Sequence, residues 1–144
     1  MKKVKRLLAL GAAALMLSSV FAMPASAANY GNTSWNFNVD HLNKPYITET
    51  RSKEDSSGTY VYYKEGTVTG VVCDVITVDG KSMCDGRLGT VHKGDERLIA
   101  QYVYERGYRE CKLKLKGDRA YDGGGGAGGQ WSPDSVGSYP YANR

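Results

Sequence analysis

The chain has 144 residues, with 19 lysines and arginines against 15 aspartates and glutamates, which gives a formal net charge of +4. Four of those cations lie within the first six residues, so the rest of the chain carries 15 cations and 15 anions. A balance of this kind excludes the basic footprint of a nucleic-acid-binding protein and the cationic face of a membrane-seeking helix.

The beginning of the chain has the layout of a cleaved secretory signal peptide. A cationic start is followed by an apolar run and by small residues at Ala25 and Ala27, which form an A-x-A cleavage site. We therefore predict a signal peptide over residues 1–27, an extracellular location and no transmembrane segment in the mature chain. The remaining residues 28–144 suffice for a single domain. The alternative is an uncleaved membrane anchor, because the apolar run is near the lower length limit of a spanning helix.

The first elements of the mature chain read as β-strands. Residues 35–39 place three apolar side chains on one face and two asparagines on the other, as a half-buried strand does. A turn at Asn43-Lys44-Pro45 precedes a more polar strand predicted over residues 46–51. Residues 59–64 are predicted as a third strand, with tyrosines on both faces.

The most strongly β-like segment covers residues 67–78. Gly70 and Asp74 interrupt its apolar pattern, which predicts either a bulge or a strand covered on both faces. Asp79-Gly80 is a two-residue hairpin signal. Residues 81–87 are therefore predicted to return as a short strand.

Two later segments are also predicted as strands. Residues 97–104 fit a helical period in part, but their density of valine and tyrosine favours a strand. Residues 109–116 alternate strictly, with Cys111, Leu113 and Leu115 on one face and three lysines on the other. A lysine row is typical of an edge strand, which it protects from unwanted pairing.

The tail contains a glycine-rich segment over residues 122–129, followed by Trp131. It is either a flexible spacer or a segment without side chains against which a strand or the tryptophan docks, and a tryptophan at this place favours docking. Strands at short intervals marked by turns predict an all-β fold. We expect a single small antiparallel β-sandwich, or a partly open barrel, after the signal peptide.

Three cysteines are an odd number for an exported protein. Because the predicted hairpin brings Cys73 and Cys84 together, we predict a disulfide between them, which would stabilise the fold by roughly 2–3 kcal/mol. Cys111 points inward by its alternation with leucines and is predicted to be a buried free thiol. The alternative is a reactive Cys111 that links two chains into a dimer.

The sequence offers little for catalysis or for a cofactor. It has no C-x-x-C, H-x-H or H-E-x-x-H motif and no calcium-loop spacing, so no metal site is predicted. No G-x-S-x-G elbow is present, and nothing orients a histidine beside a cysteine. We therefore expect no catalytic residues, no cofactor and no enzymatic activity.

Aromatic residues on the predicted strands are the better candidates for function. Tyrosine with nearby arginine is typical of interfaces and of platforms on which sugars stack, although aromatic pairs across strands also stabilise sheets. The candidate binding surface comprises Tyr60, Tyr62, Tyr63, Tyr102, Tyr104, Tyr108 and Trp131.

Several features together resemble a known group of proteins. They are the signal peptide, the Trp35-x-Phe37 strand, the two-cysteine hairpin, the aromatic segment at 102–108 and the closing Gly-x-Trp-Ser-Pro-Asp-Ser at 129–135. The combination resembles small, uncharacterised exported β proteins of Gram-positive bacteria, some described as lactococcin-like bacteriocins. The resemblance implies a compact β-sandwich, secretion and interference with the envelope of competing bacteria.

Two functions follow as hypotheses. The first is a secreted, non-enzymatic, bacteriocin-like protein that acts on the envelope of competing bacteria. The second is an extracellular module that binds a cell-wall component or a protein through exposed tyrosine and tryptophan residues. Balanced charge fits the second hypothesis well, because it removes the attraction to anionic membranes. In both cases the partner is an envelope component or an extracellular protein.

Overall fold

The computed structural model describes residues 29–144, so the predicted signal peptide at 1–27 lies outside the described part of the chain. Nine strands form in this range, and no helix occurs in it. The strands are β1 (Thr33–Val39), β2 (Tyr46–Ile47), β3 (Arg51–Ser52), β4 (Thr59–Gly66), β5 (Gly70–Ile76), β6 (Gly89–His92), β7 (Glu96–Ile99), β8 (Glu110–Gly117) and β9 (Gly125–Ser132).

The strands form two antiparallel sheets. The first has the order β1-β9-β4-β7, and the second has the order β2-β8-β5-β6, with β3 also paired to β8. Inward side chains of both sheets, such as Val61 and Trp131 from the first and Val75 and Leu113 from the second, belong to one core cluster. The predicted all-β antiparallel sandwich is therefore confirmed, and the strands do not close into a barrel.

Most of the glycine-rich segment belongs to β9, an interior strand of the first sheet. β9 pairs with β1 on one side and with β4 on the other, so the segment is ordered by docking and is not a spacer. Its glycine at 129 lies where two neighbours leave no room, because an added Cβ would meet the Tyr62 carbonyl oxygen at 1.9 Å and the Trp35 ring at 2.7 Å. The indole of Trp35 thus packs directly on the strand backbone.

The prediction of a strand over residues 81–87 is wrong. Only a single bridge between Ile76 and Ser82 forms there. Met83 and Cys84 then turn into the core, with exposed fractions of 0 % and 2 %. A strand cannot continue because the chain reverses immediately afterwards, at Asp85 with φ 51°.

The segment at 97–104 is a strand only in its first part. β7 ends at Ile99, and the backbone N–H of Arg106 donates to the Tyr102 carbonyl oxygen at 3.0 Å, which closes a helical turn. The residues that fitted a helical period thus include those of this turn.

The prediction that residues 109–116 form an edge strand is also wrong. Cys111, Leu113 and Leu115 face the core as expected, each with 0 % exposure. However, β8 pairs with β5 along one side and with β2 and β3 along the other. The lysine row lies on the outer face of the second sheet, where it covers an interior strand.

The C-terminal tail covers one edge of the first sheet, at β7. The backbone N–H of Leu98 donates to the Pro140 carbonyl oxygen at 3.0 Å, and the N–H of Ala142 donates to the Leu98 carbonyl oxygen at 2.9 Å. Asn143 holds the residue that follows β7, since its side-chain oxygen accepts the N–H of Ala100 at 2.7 Å. Covered edges of this kind oppose pairing between molecules.

Candidate functional site

Alternation along β4 determines which tyrosines face outward. Val61 and Tyr63 lie opposite Trp131 and Gly129 of β9 and point into the core. Tyr60 and Tyr62 therefore point to the outer face of the first sheet, because successive side chains of a strand alternate between faces.

A cleft of about 330 Å³ lies on this outer face. Its lining combines tyrosine rings with amide, hydroxyl and carboxyl groups. The lining residues are Tyr30, Asn32, Tyr60, Tyr62, Glu96, Gln130, Ser132, Asp134, Ser135, Val136 and Tyr139.

Two of the cleft tyrosines are held in place. The rings of Tyr60 and Tyr139 have centroids 5.0 Å apart and planes inclined by 53°. The hydroxyl of Tyr60 donates to Glu96 Oε1 at 2.5 Å. Burial and this hydrogen bond to a carboxylate raise the pKa of Tyr60 well above its usual value. Tyr60, which is only 7 % exposed, is thus fixed and neutral, and it supports the ring of Tyr139 in the cleft.

The charge of the cleft is carried by carboxylates. Among its described lining residues none is lysine or arginine. The Asp134 carboxylate is paired with the Lys53 ammonium at 2.5 Å, which leaves Glu96 as the unneutralised acid of the lining. Such a lining opposes a phosphate-rich or otherwise anionic ligand.

A second, separate cavity of about 290 Å³ lies farther along the same face of β9. Its floor includes Gly126 and Gly128, and its walls include Asn36, Asn38 and Glu65. A Cβ added at Gly128 would meet its nearest atoms at 3.5 Å or more, so the packing does not require glycine there. The missing side chain leaves the strip beside the asparagines open.

The predicted surface residues divide into three groups. Tyr63 and Trp131 have 0 % exposure and belong to the core, so neither contributes to a surface. Tyr60 and Tyr62 line the cleft. The others are Tyr102, Tyr104 and Tyr108, which lie in and around the turn after β7. The Cζ atoms of arginines lie over two of these rings, 5.3 Å from the Tyr102 centroid and 4.1 Å from the Tyr104 centroid.

Sequence reasoning missed two tyrosines of the cleft. Tyr30 precedes the first strand, and its hydroxyl donates to Asp55 Oδ2 at 3.3 Å. Tyr139 lies in the C-terminal tail beyond the last strand. Neither belongs to an alternating segment, so the strand pattern used to choose candidates contained no signal for them.

All three cysteines are buried free thiols in the structure. The predicted bridge between Cys73 and Cys84 is therefore not present, although both residues belong to the same core cluster. The Cys84 sulfur instead accepts the backbone N–H of Val75 at 3.4 Å. Burial raises the pKa of Cys84 and of Cys111 to about 12 each. A link through Cys111 to a second chain would require β8 to open.

We expect a maleimide at mildly alkaline pH to leave the folded protein unlabelled, because the thiols are buried and protonated. Unfolding in denaturant without reductant should then give three adducts per chain, counted by intact-mass spectrometry. A single adduct under those conditions would instead show one disulfide, and a labelled peptide containing Cys111 would assign it to Cys73 and Cys84, as the sequence predicts.

Two further features are absent from residues 29–144. Across this range, no group of three or more histidine, cysteine, aspartate or glutamate side chains is placed to hold a metal ion. Likewise, this part of the chain contains no helix that is long and apolar enough to cross a membrane.

Comparison with known proteins gives one match. Residues 19–135 match a family model described as "Protein of unknown function (DUF2712)". No curated protein and no solved structure matches the chain.

Proposed function

We propose that this chain, which belongs to the DUF2712 family of unknown function, is an extracellular, non-enzymatic module that binds an uncharged glycan of the bacterial cell wall. The proposal rests on the cleft. The observation that carries the proposal is the combination of fixed tyrosine rings with amide and hydroxyl groups in one open cleft. The extracellular location is supported by the signal-peptide pattern of the first 27 residues.

The chemistry of the lining matches that of a sugar ring. A pyranose has an apolar face of C–H groups that packs on an aromatic ring, and a rim of hydroxyls that donate and accept hydrogen bonds. Tyr62 and Tyr139 offer aromatic surface, while Asn32 and Gln130 offer amides that can both donate and accept. Placing a few polar groups around apolar surface is how small-molecule sites obtain orientation.

The negative charge of the cleft further restricts the class of ligand that can bind. A polymer of phosphates would meet Glu96 and find no described cation in the lining. An uncharged glycan meets no such repulsion, since its hydroxyl and acetamido groups are neutral. The cavity along Gly126 and Gly128 extends the site in the direction of β9, which suits a chain of sugars better than a single ring.

We expect Tyr62→Ala to weaken binding to N-acetylglucosamine oligomers and to purified peptidoglycan by roughly two- to twelvefold, because one aromatic contact contributes about 0.5–1.5 kcal/mol. Isothermal titration with the oligomers and sedimentation with peptidoglycan measure this. Tyr108→Ala is the matched control, since Tyr108 is 39 % exposed but is not part of the cleft lining. Equal loss in both variants, or no binding by the unmodified protein, would refute the proposed site.

The resemblance to bacteriocin-like proteins implies a second activity for the same molecule. Growth inhibition of a panel of Gram-positive strains by the purified protein tests it. Inhibition that Tyr62→Ala abolishes would join the two hypotheses, with glycan binding as the step that brings the protein to its target. Inhibition that Tyr62→Ala leaves unchanged would assign toxicity to another surface.

A further inference from the structure

A lysine and an aspartate meet inside the protein. Lys53 Nζ lies 2.5 Å from Asp134 Oδ1, and both side chains have 0 % exposure. Lys53 follows β3 of the second sheet, whereas Asp134 follows β9 of the first, so their contact joins the two sheets. Removing both charges from water is costly even when they pair, and such a pair therefore calls for an explanation beyond stability.

A third carboxyl group completes the cluster. Asp55 Oδ1 lies 3.5 Å from Lys53 Nζ, and the Asp55 side chain is 34 % exposed. It accepts the backbone N–H of Ser57 at 2.8 Å and also the Ser57 hydroxyl. Asp55 thus contacts the buried amine on one side and solvent on the other, as a group that relays protons must.

The two oxygens of Asp134 have different surroundings. Oδ2 accepts the backbone N–H of Asn29 at 2.8 Å and that of Glu54 at 3.0 Å. Oδ1 faces the amine, and its backbone contacts are longer, at 3.3 Å to Glu54 N and 3.4 Å to Asp55 N. Two N–H groups on one oxygen can stabilise the negative charge that develops there when a nucleophile adds to the carbon.

We propose that Lys53 and Asp134 condense to form an intramolecular isopeptide bond, with Asp55 as the proton relay. Asp55 takes a proton from the Lys53 ammonium and passes it to Asp134 Oδ1. The neutral amine then attacks Asp134 Cγ, forming the N–C bond, while Oδ2 carries the developing charge. The Cγ–Oδ1 bond breaks, and Oδ1 leaves as water with two of the three ammonium protons. The third proton stays on the amide nitrogen, and nothing is oxidised or reduced.

The product fits the same surroundings. Condensation removes both charges from the interior, which cancels their cost of burial. The amide N–H can keep donating to the Ser57 carbonyl oxygen, which Lys53 Nζ already contacts at 2.8 Å. The amide oxygen, former Oδ2, keeps the N–H groups of Asn29 and Glu54. The bond would lock the two sheets together without any disulfide.

Intact-mass spectrometry of the reduced protein, purified after expression of the full chain, tests the proposal. We expect a mass lower by one water molecule than the sequence of the purified chain requires. Because trypsin does not cleave after an acylated lysine, the digest should contain peptide 52–64 joined to peptide 120–144. Lys53→Arg keeps the charge and cannot be linked in this way, so it should show the full mass.

Three results distinguish the bond from other losses of water. A full mass for the unmodified protein would overturn the proposal. A loss of water that persists in Lys53→Arg would place dehydration elsewhere, for example at Asp79-Gly80, and would also overturn it. Asp134→Asn offers a second positive test, since condensation of its amide releases ammonia instead of water and yields the same joined peptides.

Asp55→Asn tests the relay. We expect a folded protein, with the near-ultraviolet circular dichroism spectrum of the parent, that keeps its full mass or loses water much more slowly during incubation. Condensation at the parent rate in Asp55→Asn would exclude Asp55 from the reaction. Whether the bond forms at all is decided separately, by the mass of the unmodified protein.

Discussion

Gly129→Ala is expected to lower the free energy of unfolding by about 3 kcal/mol, because an added side chain at this position overpacks the core. The added Cβ would lie 1.9 Å from the Tyr62 carbonyl oxygen and 2.7 Å from the Trp35 ring. Neither neighbour can move easily, because Tyr62 belongs to β4, which pairs with β9, and Trp35 is buried beneath the sheet. Denaturant unfolding followed by tryptophan fluorescence measures the loss.

Gly128→Ala is the matched control one residue earlier in the same strand. Its Cβ would point outward and meet its nearest atoms at 3.5 Å or more. Replacing glycine by alanine where the backbone allows it stabilises by up to about 1 kcal/mol. A similar destabilisation in both variants would contradict the inward and outward assignment of β9.

Asp134→Ala is expected to lower the free energy of unfolding by about 3–5 kcal/mol, because it removes the closest and fully buried partner of the Lys53 ammonium and leaves only the partly exposed Asp55 carboxylate at 3.5 Å. It also removes the acceptor of the backbone N–H groups of Asn29 and Glu54. In a protein that has formed the isopeptide bond the loss is larger. Thermal and denaturant unfolding of the purified variant measure it.

The neutral pair Lys53→Met with Asp134→Asn separates charge from hydrogen bonding. Asparagine keeps an oxygen for the backbone N–H groups, and methionine fills the volume of the lysine stem without a charge. The Ser57 carbonyl oxygen keeps a donor, since Gln101 Nε2 contacts it at 3.1 Å. We expect this double variant to recover most of the unlinked protein's stability. A double variant as unstable as Asp134→Ala would show that burial of an ammonium without its closest carboxylate is not the cause.

Local pattern was sufficient to predict much of the sheet structure. The strict alternation of Trp35 to Val39 and of Cys111 to Leu115 predicted which side chains are buried, because strand periodicity determines the face of each residue once a core exists. It could not predict the order of the strands. Whether β8 is interior or at an edge depends on β2, β3 and β5, whose pairing is a property of the whole chain.

The errors arise where tertiary contacts override local preference. The Asp79-Gly80 turn predicted a returning strand, but burial of Met83 and Cys84 takes the chain into the core after a single bridge. For the same reason, only part of the candidate site was predicted from the sequence. Tyr60 and Tyr62 were chosen because they lie on a strand, whereas Tyr139 reaches the cleft from a tail whose path is determined by contacts with β7.

The pairing of β1 with β9 has a consequence for the time at which the protein folds. The second strand-forming residue of the domain, Ser34, lies opposite Gln130, so the first sheet cannot close until nearly the whole chain is available. Pairings between distant residues form slowly, because the entropy of closing the intervening loop is lost before any contact is gained. The pairing of β1 is thereby delayed until β9 has been synthesised. Until β9 has been made, β1 has no partner strand in its sheet, so its backbone N–H and C=O groups stay bonded to water.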